Sequence, residues 1–401
     1  MKNLTSFFVL MLCSPALRAD TVVYVAAAAG QKSGAVSIVP DSPVEYQVFQ
    51  RQKRGSGTIR VHGRVTAESG QLRCRVLGTA KDGKSAPVVL DWQPVAANIT
   101  TGRFDDNIDV PAGGWYRLEL TLEQDGRQVA GSTIERVGVG EVFVIAGQSN
   151  STNYGSEKQK TATGMVASFN GTRWAVANDP QPGAQDGSKA GSFLPAFGDA
   201  LYDKIRVPIG VAVTGAGATS VRQWLPKGER MKNRPTIGSH IKPVGPGEWE
   251  CTGKLFDGLM KRIEALGPRG CRSVLWHQGE SDAGQARAGY PADRQITGEQ
   301  YRAFMTTLIG ASRKRAGWDL PWFVAQATYH SEKDPADEEF RSAQKALWQT
   351  SVALEGPNSD ALRREFRAGV HFNGKGLQAH GRLWADKVGA YLDKLGDRQS
   401  P

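Results

Sequence analysis

The pattern of apolar residues changes character once along this chain, near Gly138, and that change restricts the fold more than any other feature. From about residue 21 to 137, short runs rich in Val, Ile, Thr and Tyr are separated by Gly, Pro, Asp and Asn. The runs at 44–49, 58–61, 72–77 and 115–120 alternate apolar with polar positions, as strands with one buried face do. No helical period of comparable length interrupts them. Beyond Gly138 the apolar runs become continuous and alternate with helical stretches. A parallel sheet covered on both faces reads this way, because its strands have no solvent side. Strands are expected at 142–146, 209–214, 273–276 and 322–327, and helices over 193–206, 255–266, 299–316, 338–354 and 376–395. The expected class is α/β: a three-layer α/β/α sandwich with a central parallel sheet, preceded by a small all-β sandwich domain. Residues 20–138 would form the β-sandwich and residues 139–401 the second domain.

The first residues have the order of a signal peptide: Lys2, an apolar stretch over 7–13, then Leu17-Arg18-Ala19 before Asp20. Cleavage after residue 19 would make the mature protein secreted or periplasmic; the other reading is a buried N-terminal helix or strand. Nothing later approaches the ~20 continuous apolar residues of a membrane span. The formal charge of +10 falls when Lys2 and Arg18 leave, and the basic residues are interspersed with acidic ones. That describes a solvated surface rather than a nucleic-acid partner. Of the four cysteines, Cys13 leaves with the signal. An export compartment permits one disulfide, and Cys251 with Cys271 is the closest pair in sequence, leaving Cys74 as a buried thiol. Neither C-x-x-C nor H-E-x-x-H occurs, so no zinc site is indicated and no metal or cofactor is expected.

Four stretches carry candidate chemistry. The apolar run 142–146 is followed by Gly147-Gln148-Ser149-Asn150, which puts the Ser149 hydroxyl at the C-terminal edge of the sheet, where open α/β sheets bind ligands. If a helix starts there, its free N–H groups can stabilise an oxyanion, although a serine so placed also serves as a plain helix cap. A Gly-rich turn, Gly215-Ala216-Gly217-Ala218-Thr219, follows the strand at 209–214; it can supply further N–H donors or be only a tight turn. It is not a phosphate loop, lacking G-x-x-x-x-G-K-[ST]. The strand at 273–276 leads into His277-Gln278-Gly279-Glu280-Ser281-Asp282, poor material for a core and good material for the lip of a site. There the Gln278 amide can donate to an oxyanion, and Glu280 can orient an imidazole. Among six histidines, His371 lies in a loop just before the last helix, where it can point back over the sheet edge; His380 falls within that helix.

Together, Gly-Gln-Ser-Asn, Trp-His-Gln-Gly-Glu-Ser and a terminal Val-His-Phe resemble the SGNH hydrolase superfamily, most closely its sialate O-acetylesterase and carbohydrate esterase family 6 branch. The resemblance covers about residue 140 to the C-terminus. It implies Ser149 as nucleophile and His371 as its base. The oxyanion donors would be Ser149, Gly217 and Gln278, the last where an asparagine stands elsewhere in the superfamily. The fold would be flavodoxin-like and the substrate an acetylated carbohydrate. Asn150, His277 and Trp224 are candidates for substrate contact, with Trp249 and Trp276 also near site segments; for each tryptophan a core role is the competing reading.

One departure stands out. The family's last block reads Asp-x-x-His, but the residue three before His371 is Ala368. Either Glu280 orients His371, or a backbone carbonyl does so in a Ser-His dyad, or activity is weak. Two other functions stay open: a carbohydrate-binding protein on an inactive hydrolase fold, and an acyltransferase on the same residues.

Overall fold

The computed structural model describes residues 36–67, 69–79, 85–98, 101–287 and 289–396. The signal-peptide expectation on residues 1–19 lies outside them. Alternation builds the N-terminal part as anticipated. In Ser56–Thr66 the side chains of Ile59, Val61 and Val65 are buried while Arg60 and Arg64 are exposed. This strand pairs with Ser37–Ser42 on one side and Arg103–Pro111 on the other. A second set, Val88–Pro94, Gln71–Leu77 and Gly113–Gln124, is joined antiparallel. Ile59 and Val61 from the first sheet share an apolar core with Leu72, Val76, Leu118 and Leu122 from the second.

The second sheet does not end there. Strand β1 (Arg127–Gly147) pairs antiparallel with Gly113–Gln124 over its first part and continues unbroken into the central sheet. The expected boundary at residue 138 therefore falls inside one strand, and the described residues from Val36 onward form one compact unit. With β2 (Val166–Phe169), β3 (Trp174–Val176), β4 (Ile209–Val213), β5 (Ser273–His277), β6 (Trp322–Gln326) and β7 (Leu354–Asn358), the order is β3-β2-β4-β1-β5-β6-β7. Neighbours are parallel except the antiparallel β2–β3 pair. The fold is thus mixed α/β around a large mixed sheet.

Alternate side chains of β1 face opposite ways. Val142, Val144 and Ala146 pack with helices α2 (Lys254–Ala265), α4 (Gly298–Ala316) and α5 (Glu338–Gln349). Phe143 and Ile145 pack with α1 (Leu194–Ile205) and α6 (Gly374–Leu395). The remaining helix, α3 (Glu280–Gln285), was not anticipated. Helix α5 stops at Gln349 rather than 354, because a turn with Ser351 at φ 59° feeds β7. The long connection after Gln223 carries a three-stranded sheet: Arg230–Met231, Glu248–Cys251 and Ile241–Gly245.

Where the two parts of β1 meet, the fully buried Glu141 carboxylate binds both of them together. Its oxygens accept from Arg51 Nε (2.7 Å), Gln50 Nε2 (3.0 Å) and Arg272 Nε (2.7 Å). Gln50 also accepts the Val142 N–H at 2.9 Å. The Cys251–Cys271 disulfide is not formed: both thiols are free and buried in the core, as is that of Cys74. Cys251 instead donates to the Leu225 carbonyl at 3.0 Å. No helix among the described residues is long and apolar enough to cross a membrane.

Candidate active site

Strand order reverses at β1: the chain runs out to β2, returns to β4 beside β1, then crosses to β5 on its other side. In open α/β sheets the crevice beyond the strand C-termini at such a point is where ligands bind. The three sequence stretches that follow β1, β4 and β5 all arrive there. Gly147 allows the approach of the first to the third. A Cβ at this position would sit 2.0 Å from the His277 carbonyl oxygen, and its φ is 125°. Gln148 then ties the two stretches together, its N–H donating to His277 O (2.9 Å) and its Oε1 accepting from Ser281 N (3.0 Å).

Ser149 opens one turn of 3-10 helix, Ser149–Ser151, so its own N–H and that of Asn150 have no intrahelical acceptor. Asn150 Nδ2 donates to Glu280 Oε1 (3.0 Å) and to Val370 O (3.2 Å), joining the serine turn to the third stretch and to the loop of His371. His277 Nε2 lies 3.0 Å from the same Glu280 oxygen. The other oxygen, Glu280 Oε2, is buried and has no hydrogen-bond partner among the described residues. Burial pushes the Glu280 carboxyl upward, but the His277 ring and the Asn150 amide outweigh it and hold it below the usual glutamate range.

His371 sits on a two-residue antiparallel pair, Arg367–Ala368 with His371–Phe372, in which Ala368 is directly opposite His371. Its half-buried ring packs on Tyr154, with centroids 5.1 Å apart at 37°, and forms no hydrogen bond among the described residues. Burial holds its pKa below the ordinary value; the Glu280 charge opposes this and Arg367 reinforces it. Asp360, the upstream carboxylate, accepts from Thr328 N, Thr328 Oγ1 and Tyr329 N. His380 is packed, its ring stacked 4.6 Å from Phe372.

Several expected contacts take other roles. Both Gln278 amide hydrogens are spent, on Thr219 O (3.1 Å) and Asp282 Oδ2 (2.7 Å), so this side chain holds the second stretch against the third and has none left for an oxyanion. The Gly217 N–H is engaged too, by Asp186 Oδ2 at 2.5 Å. Trp224 is fully buried edge-on against Trp276, centroids 5.2 Å apart, and its Nε1 donates to Thr219 Oγ1; neither indole can stack on a sugar. His277 is fully buried on Glu280, and Asn150 is bound as described, so neither is free to contact substrate. Sequence reasoning missed Asp186 and Tyr154, which stand beside Gly217 and His371; no motif marks them. It also missed the buried Arg222–Asp282 ion pair (3.3 Å) that anchors the second stretch.

Ser149, the buried Glu280 carboxylate and the loop of His371 thus meet at one switch point, linked through Asn150. The profile of the family described as carbohydrate esterase, sialic acid-specific acetylesterase, matches residues 139–390, more than half of the chain. The chain belongs to this family, the one to which its motifs point. No curated protein matches by sequence. Among solved structures, a carbohydrate acetylesterase from Xanthomonas citri is 18% identical, covering 88% of this chain and 76% of its own, with a TM-score of 0.50. A family two carbohydrate esterase from Cellvibrio japonicus is 9% identical over 90% of this chain and 98% of its own, with a TM-score of 0.34. A protein from Arabidopsis thaliana is 21% identical over 63% and 98%, with a TM-score of 0.43. At these identities only the first speaks for the fold, and for no more than the fold.

Proposed function

We propose that this protein is an exported serine esterase that removes O-acetyl groups from carbohydrate by way of an acyl-enzyme. Its fold is then the three-layer α/β/α sandwich of the SGNH type, with the N-terminal sheets as an all-β sandwich. The observation that carries the proposal is the pair of hydrogen bonds donated by Asn150 Nδ2, which gathers Ser149, Glu280 and the His371 loop at one sheet edge.

In this mechanism His371 takes the Ser149 proton as Oγ attacks the ester carbonyl, and returns it to the departing sugar hydroxyl. Glu280 orients His371 through Oε2, the oxygen left over by His277 and Asn150. The N–H groups of Ser149 and Asn150, in the first turn of their helix, stabilise the oxyanion, and Gly217 joins them once Asp186 gives way. Water then attacks the acetyl-serine, with His371 as base again, and acetate leaves. Ser149→Ala should fold as the parent does and lose essentially all release of p-nitrophenol from p-nitrophenyl acetate and of acetate from acetylated xylan, pectin, sialic acid and simple sugars. Full turnover in the variant would move the nucleophile, with Ser281 next in line. Ala368, which leaves the family's usual orienting acid missing, favours a second reading as a carbohydrate-binding protein; a parent chain with no Ser149-dependent release would establish that one.

A further inference from the structure

We propose a second carbohydrate site, away from Ser149, in the cleft between the N-terminal sheets and the near end of the central sheet, holding a neutral stretch of glycan chain. The choice of glycan rests on the esterase reading; the cleft itself does not. It measures about 530 Å³, within the range of small-ligand pockets. Three separate segments wall it: the N-terminal strands around Gln47, His62 and Asn107, the β2–β3 hairpin at Phe169 and Trp174, and the 265–270 connection that leads into β5. The last of these lies before the N-terminal end of β5, whereas Ser149 follows the C-terminal end of β1 alongside. The two places are thus separated by the length of the strands, about 17 Å for the five residues of β5.

The lining has the chemistry that a pyranose chain requires. Phe169 and Trp174 form a stacked aromatic wall, centroids 4.9 Å apart at 25°, and the Trp174 ring is only partly buried. Such a wall suits the C–H face of a sugar. Across from it, the side chains of His62 and Asn107 form no hydrogen bond among the described residues, which leaves them available to hydroxyl groups. The charges of the wall are largely answered by the protein. Arg60 binds Asp105 through Nε (2.9 Å) and Nη2 (2.6 Å), and Asp41 lies 3.9 Å from Arg64. With the Arg60 fork spent, Arg269, whose guanidinium lies over the Trp318 ring at 5.8 Å, is the one arginine of the lining left to an anionic ligand, and a neutral one meets no unbalanced carboxylate.

The test uses the full chain with Ser149→Ala, so that binding is measured without turnover. Titration calorimetry with soluble xylan, glucomannan and polygalacturonate should show saturable binding of a neutral glycan. Trp174→Ala, and separately the pair His62→Ala and Asn107→Ala, should weaken it about tenfold or more, as expected for loss of a stacked ring or two hydrogen bonds. With Ser149 intact, the same substitutions should leave p-nitrophenyl acetate hydrolysis unchanged. The polar pair keeps the test decisive if Trp174→Ala fails to fold, since Asn107 is exposed. No binding by any neutral glycan, undiminished binding by the polar variant, or preference for polygalacturonate would each overturn the proposal. Failure of Ser149→Ala to stop hydrolysis would instead strike the esterase reading and leave the cleft result standing.

Discussion

Replacing Glu280 by Gln keeps the shape of the side chain and removes its charge. The amide is kept from turning its nitrogen inward by Asn150 Nδ2, a donor 3.0 Å away, on the same oxygen that His277 Nε2 faces at 3.0 Å. Its carbonyl oxygen must stay there, and the NH2 takes the position of Oε2. If Oε2 is the atom that holds His371, the imidazole then meets a donor where it needs an acceptor, and the tautomer that accepts the serine proton is disfavoured. A comparable acid-to-amide change in a Ser-His-Asp protease lowers kcat by about 10⁴. A loss of about 10³ to 10⁴, or ~4–5.5 kcal/mol at 1.36 kcal/mol per decade, is expected here, with KM within about threefold. The pH profile carries an independent sign. The Glu280 charge raises the His371 pKa against burial and Arg367. Its removal lowers that pKa further, so the acid limb of kcat/KM should move to lower pH. Initial rates on p-nitrophenyl acetate across pH measure both effects. A turnover within about tenfold of the parent, or an acid limb that stays put or moves up, would refute the role of Glu280. Ala368→Asp offers the complement: directly opposed residues of an antiparallel pair lie on one side, so an aspartate there would stand beside His371. It should restore more activity in the Glu280→Gln background than it adds to the parent.

Two further outcomes are expected. Glu141→Ala leaves Arg51 and Arg272 buried without their carboxylate and should cost about 3–5 kcal/mol, lowering Tm by on the order of 10 °C in a thermal melt; a change under about 1 kcal/mol would contradict the role given to this cluster. Asp186→Ala frees the Gly217 N–H from a charged acceptor at 2.5 Å and should raise kcat/KM by about tenfold, the worth of one charge-assisted hydrogen bond; a fall would mean that Asp186 assists the reaction rather than competing with the oxyanion.

The central strands were legible because a strand buried on both faces has to be apolar almost throughout, and 142–146 and 274–276 are. Helix α4 was expected from residue 299, and the structure starts it at Gly298 with a capping box between Thr297 and Gln300. Strand β7 was not, since it lies at the sheet edge and contains Gly356 and Pro357. Nor did the sequence betray that β1 runs through the apparent boundary, because local alternation records which face is buried and not which strand lies alongside. At the site, the residue types were readable and their partners were not. Gln278, Asn150 and His277 have several donors or acceptors each, and which bonds they make depends on Thr219, Val370 and Glu280, brought close only by the fold. Trp224 lay near site segments in sequence yet turns inward, a choice that side-chain packing makes and the sequence does not display.

The continuity of β1 bears on how such a protein can be inherited. A module joined by a flexible linker can be gained, lost or exchanged by recombination at the linker. Here a crossover near residue 138 would sever a strand whose hydrogen bonds hold both sheets, and would part Glu141 from Arg51 and Gln50. Exchange of the N-terminal sheets at that point would therefore cost the buried bonds of Glu141 as well as the continuity of the strand.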